Sequence, residues 1–156
     1  MQQNAEQSVI WLKSIGFSPS QIAIAIKSTF HTTAKNLSKY LKQKINASIY
    51  VTAKALKAAN YSIAEISSAL VDVFDASYST LSKALKRALY SAKQVGSVLK
   101  STFHASTIEV AAIFKNTFHL PQAKAKKILY ALRYPKKAVD EAIAMVYPVR
   151  NIRAKR

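Results

Sequence analysis

Three histidines occur in the sequence, and each follows Thr-Phe with a lysine four residues before it. They are His31 and His104, which end two copies of "KSTFH", and His119, which ends "KNTFH". A histidine can bind a metal ion or act as a general base. A metal site needs more ligands, and the chain has no cysteine and no carboxylate adjacent to these histidines. We therefore predict no metal and no cofactor, and we expect a joint or capping role for the histidines, with a pH-sensitive or metal-binding role as the alternative.

The carboxylates also suggest no catalytic site. Glu65 and Glu109 each follow a serine by three residues, which is the spacing of a helix capping box. Asp140 and Glu141 stand near the predicted start of the last helix, where acids suit the helix dipole. The sequence has no glycine-rich phosphate loop, no His-Glu-x-x-His motif and no nucleophile elbow. We predict that the protein is not an enzyme and has no catalytic residues.

The phenylalanine of "TFH" belongs to an internal repeat. Equivalent positions follow one another at steps of about 14 to 15 residues, so that two units together span about 29 residues. These positions are Gly16, Phe30, Ile45, Asn60, Phe74, Leu89, Phe103, Phe118, Leu132 and Tyr147. The elements that carry the histidines are therefore short units of nearly constant length.

Each unit has the residue pattern of one short helix. Four residues before the repeat position stands a large apolar residue: Leu12, Ile26, Leu41, Leu56, Leu70, Leu85, Leu99, Phe114, Ile128 or Ile143. Three residues earlier stands a mostly small residue, from Ala23 to Ala125, on the same helical face. Asn, Asp and Ser at the joints are typical helix caps. A helix of about ten residues is marginal alone and needs neighbours to pack against.

These patterns predict an all-α fold. We expect an α-solenoid of about nine or ten short helices, paired as 29-residue hairpins and superhelical or arched, with an irregular closed bundle as the alternative. A single helical-repeat domain is predicted over residues 1–149, followed by a basic tail over 150–156. The tail is either disordered or a clamp on a phosphate backbone.

The segment "WLKSIGFSPSQIAIAIKSTF", residues 11–30, resembles a unit of the mitochondrial transcription termination factor repeat family. His31 stands where that family usually has a proline. The pattern "LK..N/Y-S...I...L...F.AS" is also similar to short α-helical tandem arrays of bacterial proteins. The first resemblance implies a solenoid of helical repeats that binds nucleic acid, and the second implies the repeat alone.

Lysines recur in register with the repeat. Seven of the ten units have lysine directly after the large apolar residue, and four units have a lysine three residues before that position, three of them in addition to the first. One explanation is that a lysine in the last turn complements the helix dipole. Another is that stacked helices form a cationic ridge that follows a phosphate backbone. The predicted nucleic-acid-binding residues are Lys13, Lys27, Lys39, Lys42, Lys54, Lys57, Lys83, Lys86, Lys100, Lys115, Lys126, Arg150, Arg153, Lys155 and Arg156.

The overall charge indicates the class of partner. The chain has 24 Lys and Arg against 7 Asp and Glu, a formal net charge of +17. Such a chain repels itself unless an anion neutralises it, and nucleic acid is the expected partner, DNA rather than RNA. Because lysine outnumbers arginine, we expect backbone contacts with little base readout, suited to compaction or packaging. Tyrosines that stack on bases are possible, although packing between helices is the expected role for Tyr40, Tyr61, Tyr90 and Tyr147.

The alternative function is a structural or protein-interaction repeat module that self-associates, such as a virion component. Association with a membrane surface ranks behind both. No signal peptide or membrane-spanning run is evident, so we expect a cytoplasmic or nucleoid-associated protein.

Overall fold

The protein consists of short α-helices joined by turns of a few residues. The structure is a computed structural model and describes residues 3–149, which contain ten helices and no strand. The helices are α1 (Ala5–Ser14), α2 (Pro19–Phe30), α3 (Ala34–Ile45), α4 (Ile49–Ala58), α5 (Ile63–Phe74), α6 (Tyr78–Arg87), α7 (Ala92–Phe103), α8 (Thr107–Asn116), α9 (Gln122–Ala131) and α10 (Lys136–Val146). The all-α helical repeat that the sequence predicts is confirmed.

Polar side chains start the first eight helices. Each cap accepts a hydrogen bond from the backbone amide three residues later, which satisfies a donor that has no partner inside the helix. Ser62 and Glu65 form the predicted capping box, with hydrogen bonds of 3.0 and 3.1 Å in the two directions. Hydrogen bonds from the amide and hydroxyl of Ser62 lower the pKa of the Glu65 carboxyl. Ser106 and Glu109 form the second predicted box.

The last two helices begin differently. Pro121 precedes α9 and Pro135 precedes α10, and neither helix has a side-chain cap. Neither has an acidic residue in its first turn, which is also true of α2, α3, α4, α6 and α7, and Lys124 lies near the start of α9. Asp140 and Glu141 lie beyond the first turn of α10, so the prediction that they offset the helix dipole at its start is wrong.

One residue at each joint adopts the left-handed conformation. In the described chain these are Gly16, His31, Asn46, Asn60, Asp75, Leu89, His104, His119 and Arg133, with φ between 51° and 98°. Glycine adopts this conformation at no steric cost, and Asn, Asp and His tolerate it better than other residues do. The three histidines are exposed and occupy equivalent joints, so the repeat accounts for their positions.

The two residue rows found in the sequence form the core. All eight members of the small row, from Ala23 to Ala125, are buried, so neighbouring helices approach closely there. In the large apolar row, nine of the ten residues are buried, and Ile128 is half-buried. The rows therefore pack as the sequence predicts, with an exception in α9.

The chain forms two compact units, with the boundary between Tyr90 and Ser91. In the first unit, each helix packs against the next and also against the helix two further on, as α2 does with α4 and α3 with α5. In the second unit, α10 packs against both α8 and α9. The single domain over residues 1–149 stays a prediction, and the predicted tail, 150–156, lies outside the described residues.

Candidate nucleic-acid interface

Five lysines of the predicted ridge bind backbone carbonyls. Each donates a hydrogen bond from its ammonium group to a carbonyl oxygen 31 or 32 residues further along the chain, at the C-terminal end of the helix two units on. The pairs are Lys27 with Ala59 (2.8 Å), Lys42 with Val73 (2.9 Å), Lys57 with Ala88 (2.8 Å), Lys100 with Leu132 (2.6 Å) and Lys115 with Val146 (2.9 Å). The last carbonyls of a helix lack partners inside it and carry its negative dipole charge, so an ammonium group stabilises them.

An aromatic ring completes each of these contacts. The distances from the ammonium nitrogen to the ring centre are 4.4 Å for Lys27 and Tyr61, 5.2 Å for Lys42 and Phe74, 4.3 Å for Lys57 and Tyr90, 5.0 Å for Lys100 and Tyr134, and 5.6 Å for Lys115 and Tyr147. These distances fall in the range of cation–π attraction. We refer to the lysine, the carbonyl that it binds and the ring beside it as a clasp.

Three clasps are reciprocal. The Tyr61 hydroxyl donates to the Thr32 carbonyl, the Tyr134 hydroxyl to the Ala105 carbonyl at 2.8 Å, and the Tyr147 hydroxyl to the Leu120 carbonyl at 2.7 Å. Each of these carbonyls lies just after the helix that supplies the clasp lysine. Two joints are therefore bound to each other in both directions, by the lysine of one and the tyrosine of the other.

The sequence contains a signal for the clasps that our prediction missed. Each clasp lysine is followed, two units later, by an aromatic residue at or just after the repeat position. The lysines alone are equally typical of a helix end and of a phosphate ridge. Only the pairing of lysine with aromatic residue two units on distinguishes the clasp from the ridge.

Burial affects the acidity of the clasp tyrosines. It raises the pKa of Tyr61 to about 12, with a smaller contribution from the negative charge of Glu65. It raises the pKa of Tyr134 to about 12 in the same way, with Glu109 as the nearby charge. Burial also raises the pKa of Tyr90 and Tyr147. The folded protein thus holds these hydroxyl protons more tightly than the unfolded chain does.

Raising the pH from about 10 to about 12 is therefore expected to lower the free energy of unfolding. The unfolded chain loses its tyrosine protons near pH 10, while the folded state keeps those of Tyr61 and Tyr134. The stabilisation is complete below pH 10 and is lost as the pH rises through the folded pKa values. The Tyr61→Phe/Tyr134→Phe variant should show a shallower decline in chemical denaturation across this range. Equal declines in the unchanged protein and the variant would contradict the prediction.

The other predicted binding residues differ in their surroundings. Lys13, Lys39, Lys54, Lys83 and Lys86 are exposed. Lys126 pairs with Asp140 at 3.4 Å, and its ammonium group lies 6.0 Å from the ring of Tyr130. The predicted residues Arg150, Arg153, Lys155 and Arg156 lie outside the described residues.

Two neighbouring helices carry a cluster of exposed bases. Lys54 on α4 and Lys83 on α6 are equivalent residues of helices that pack against each other, and Arg87 lies one turn after Lys83. The Arg87 guanidinium lies 4.0 Å from the ring centre of Tyr50 on α4. Neither helix contains an acidic residue. We refer to Lys54, Lys83 and Arg87 as the α4–α6 basic patch; the sequence prediction included the two lysines and missed the arginine.

The chain matches no protein-family model, no curated protein and no solved structure. The resemblance of residues 11–30 to the mitochondrial transcription termination factor repeats therefore stays a prediction, as does the resemblance to bacterial tandem arrays.

The acidic side chains neutralise few of the bases. Ion pairs join Glu6 to Lys44 at 3.0 Å, and Asp72 to Lys35 at 3.7 Å. Glu65 and Glu109 are occupied in capping boxes. Lys126 pairs with Asp140, and because the chain has 24 Lys and Arg against 7 Asp and Glu, most of the positive charge has no acidic residue to balance it.

Two further features bear on the site. Within residues 3–149, no three His, Asp or Glu side chains are grouped so that they could hold a metal ion. Over the same residues, no helix combines the length and the apolar character that crossing a membrane requires.

Proposed function

We propose that the protein binds nucleic acid through its phosphate backbone, with little dependence on base sequence, and that the α4–α6 basic patch is a main contact surface. The observation that carries this proposal is the acid-free face formed by two neighbouring helices. Lys54 and Lys83 occupy the same position in units that are two apart, so the repeat sets them side by side. Phosphates that follow such a surface would release their condensed counterions, which favours binding.

The residue types favour contacts with phosphate over contacts with bases. Lysine is a compact point charge with rotatable donors, whereas recognition of guanine relies on the planar fork of arginine. The one arginine of the patch, Arg87, already lies against Tyr50. We therefore infer that the protein holds the backbone of duplex DNA, as a compacting or packaging protein would, and reads little sequence.

The clasps divide the predicted ridge into two groups. Lys27, Lys57 and Lys100 are half-buried and bind helix ends. We infer that they stabilise the fold and do not contact phosphate directly. Lys42 and Lys115 are exposed, and each has two ammonium protons beyond the one that its carbonyl accepts. We assign direct phosphate contact first to the α4–α6 basic patch and second to Lys42 and Lys115.

The salt dependence of DNA affinity tests the proposal. Affinity for a fluorescent duplex is measured over a range of salt concentrations, for the unchanged protein and for the Lys54→Gln/Lys83→Gln/Arg87→Gln variant. Each lost phosphate contact removes about 0.9 from the slope of log affinity against log salt, so the slope should fall by about 2 to 3. Two duplexes of unrelated sequence should bind equally.

The matched control removes the same charge elsewhere. The Lys93→Gln/Lys124→Gln/Lys127→Gln variant also loses three exposed cations, but from the second unit. Its slope of log DNA affinity against log salt should stay close to that of the unchanged protein. If the slope falls by the same amount in both variants, net charge and not the α4–α6 basic patch determines DNA binding. Absence of measurable binding by the unchanged protein at low ionic strength would overturn the proposed function as a whole.

A further inference from the structure

The second unit has an open groove where the repeat would place packed helices. In this unit α8 packs closely against α10, but α7 and α9, which are related in the same way, are not in close backbone contact. The clasp of Lys100 with Leu132 and Tyr134 joins the C-terminal part of α7 to the residues just after α9. A groove of about 540 Å³ lies beside α9 and is lined by Lys93 of α7 and by Ala123, Lys124, Lys127, Ile128 and Ala131.

The sequence of α9 departs from the repeat on the side that faces this groove. Eight residues before each repeat position, the other units from α2 onward have Ile22, Leu37, Thr52, Ile66, Leu81, Val95, Val110 and Val139, all fully buried. In α9 this position is Lys124, which is exposed. One turn later, Ile128 is the half-buried member of the large apolar row. In α9, a charged lysine therefore occupies the position that is buried between helices in the other units.

The lining combines apolar and cationic side chains. Ala123, Ile128 and Ala131 supply the apolar atoms, and Lys93, Lys124 and Lys127 supply three ammonium groups. No carboxylate belongs to the lining. The uncapped start of α9 lies at the same end as Lys124 and adds positive dipole charge. An occupant that is apolar on one side and anionic at its edges fits this lining.

We propose that the groove between α7 and α9 is a docking site for an acidic amphipathic helix of a partner protein. Lys124, Ile128 and Ala131 of the lining recur at helical spacing along α9, so a second helix can lie along α9 with its own apolar stripe against Ala123, Ile128 and Ala131. Glutamate or aspartate at the edges of that stripe meets the three lysines. A second copy of this chain does not suit the site, because a chain of net charge +17 brings cations to cations.

A designed peptide serves as the probe. It has about 14 residues, close to four helical turns, with leucines in one stripe and glutamates along both edges of the stripe. Binding to the unchanged protein is measured by fluorescence anisotropy at physiological ionic strength. The Lys93→Gln/Lys124→Gln/Lys127→Gln variant should bind the peptide at least about tenfold more weakly, a difference of about 1.4 kcal/mol. Circular dichroism establishes that this variant keeps its helices.

Two controls separate the groove from general attraction between charges. The Lys54→Gln/Lys83→Gln/Arg87→Gln variant, with the same change in charge, should bind the peptide about as tightly as the unchanged protein does. A peptide of the same composition with its leucines scattered around the helix should bind about tenfold more weakly. Equal losses in the two variants, or equal binding of the two peptides, would overturn the docking site.

Nucleic acid and acyl chains are the competing occupants. If the groove variant loses affinity for DNA while its affinity for the peptide is unchanged, the groove belongs to a nucleic-acid surface and the proposal fails. If a fatty acid displaces the peptide at low concentration, the site is one for small amphiphiles and the proposal also fails. Loss of peptide binding in the groove variant, with unchanged DNA binding, supports the docking site whether or not the α4–α6 basic patch binds DNA.

Discussion

Replacing Lys27, Lys57 or Lys100 by methionine is expected to lower the free energy of unfolding by about 1.5 to 3 kcal/mol each, since each donates a charged hydrogen bond in a half-buried place. Methionine keeps the unbranched side chain but cannot donate a proton. The carbonyl at the end of the facing helix then loses its partner, and the aromatic ring loses its cation. Stability is measured by urea denaturation followed by circular dichroism.

The five clasps provide an internal comparison. Lys42 and Lys115 make the same contact in exposed places, where water competes for the carbonyl and screens the charge. Their methionine variants should lose only about 0.5 to 1 kcal/mol. Lys54, which is exposed and outside the clasps, supplies the control, and Lys54→Met should change stability by less than about 0.5 kcal/mol. Should Lys27→Met prove as stable as Lys54→Met, the clasp has no structural role.

Replacing Gly96 by alanine is expected to lower the free energy of unfolding by about 1 to 2 kcal/mol. A methyl group built on Gly96 would lie 2.7 Å from Cζ of Phe114 and 2.9 Å from Cδ1 of Leu132, which is closer than packed atoms can stand. Alanine favours a helix over glycine by about 0.5 to 1 kcal/mol, and we expect the overlap with a fully buried ring to exceed that gain. The variant is compared with the unchanged protein by urea denaturation.

A compensating variant tests the cause. Phe114 is the only phenylalanine in the large apolar row, and Gly96, in the preceding unit, is the only glycine in the small row. Phe114→Leu alone leaves a cavity and should destabilise the protein. The double variant, Gly96→Ala/Phe114→Leu, restores the pairing of a small residue with leucine that other units use. Its loss in free energy of unfolding should therefore be smaller than the sum of the losses of the two single variants. Strict additivity would show that Gly96 is required for another reason.

The clasps change the interpretation of the regular lysines. A row of lysines in register predicts a continuous cationic surface, but the same row arises when each lysine binds the end of the helix two units on. The helix dipole is satisfied by a cation from another unit instead of one from its own last turn. For the proposed function, phosphate contacts are therefore expected first at the α4–α6 basic patch and second at the exposed clasp lysines, Lys42 and Lys115.

The sequence by itself determined the repeat and the local structure of its helices. The period of the units, the two core rows and the serine caps depend on residues within one unit, where contacts are three or four residues apart. The same local pattern set the three histidines at joints, because the left-handed conformation favours a few residue types. Leu89 and Arg133 adopt that conformation without being such types, so residue type alone could not identify every joint.

Only the tertiary structure decided what the charged side chains do. The carbonyl that Lys100 binds is 32 residues away, and no local rule states which of several helix ends a flexible lysine reaches. The stacking of Arg87 on Tyr50 depends on the packing of α6 against α4. The separation of α7 from α9, which leaves Lys124 in an open groove, likewise depends on how whole helices pack. Helix formation is governed by near neighbours along the chain, whereas these contacts join residues that only packing brings together.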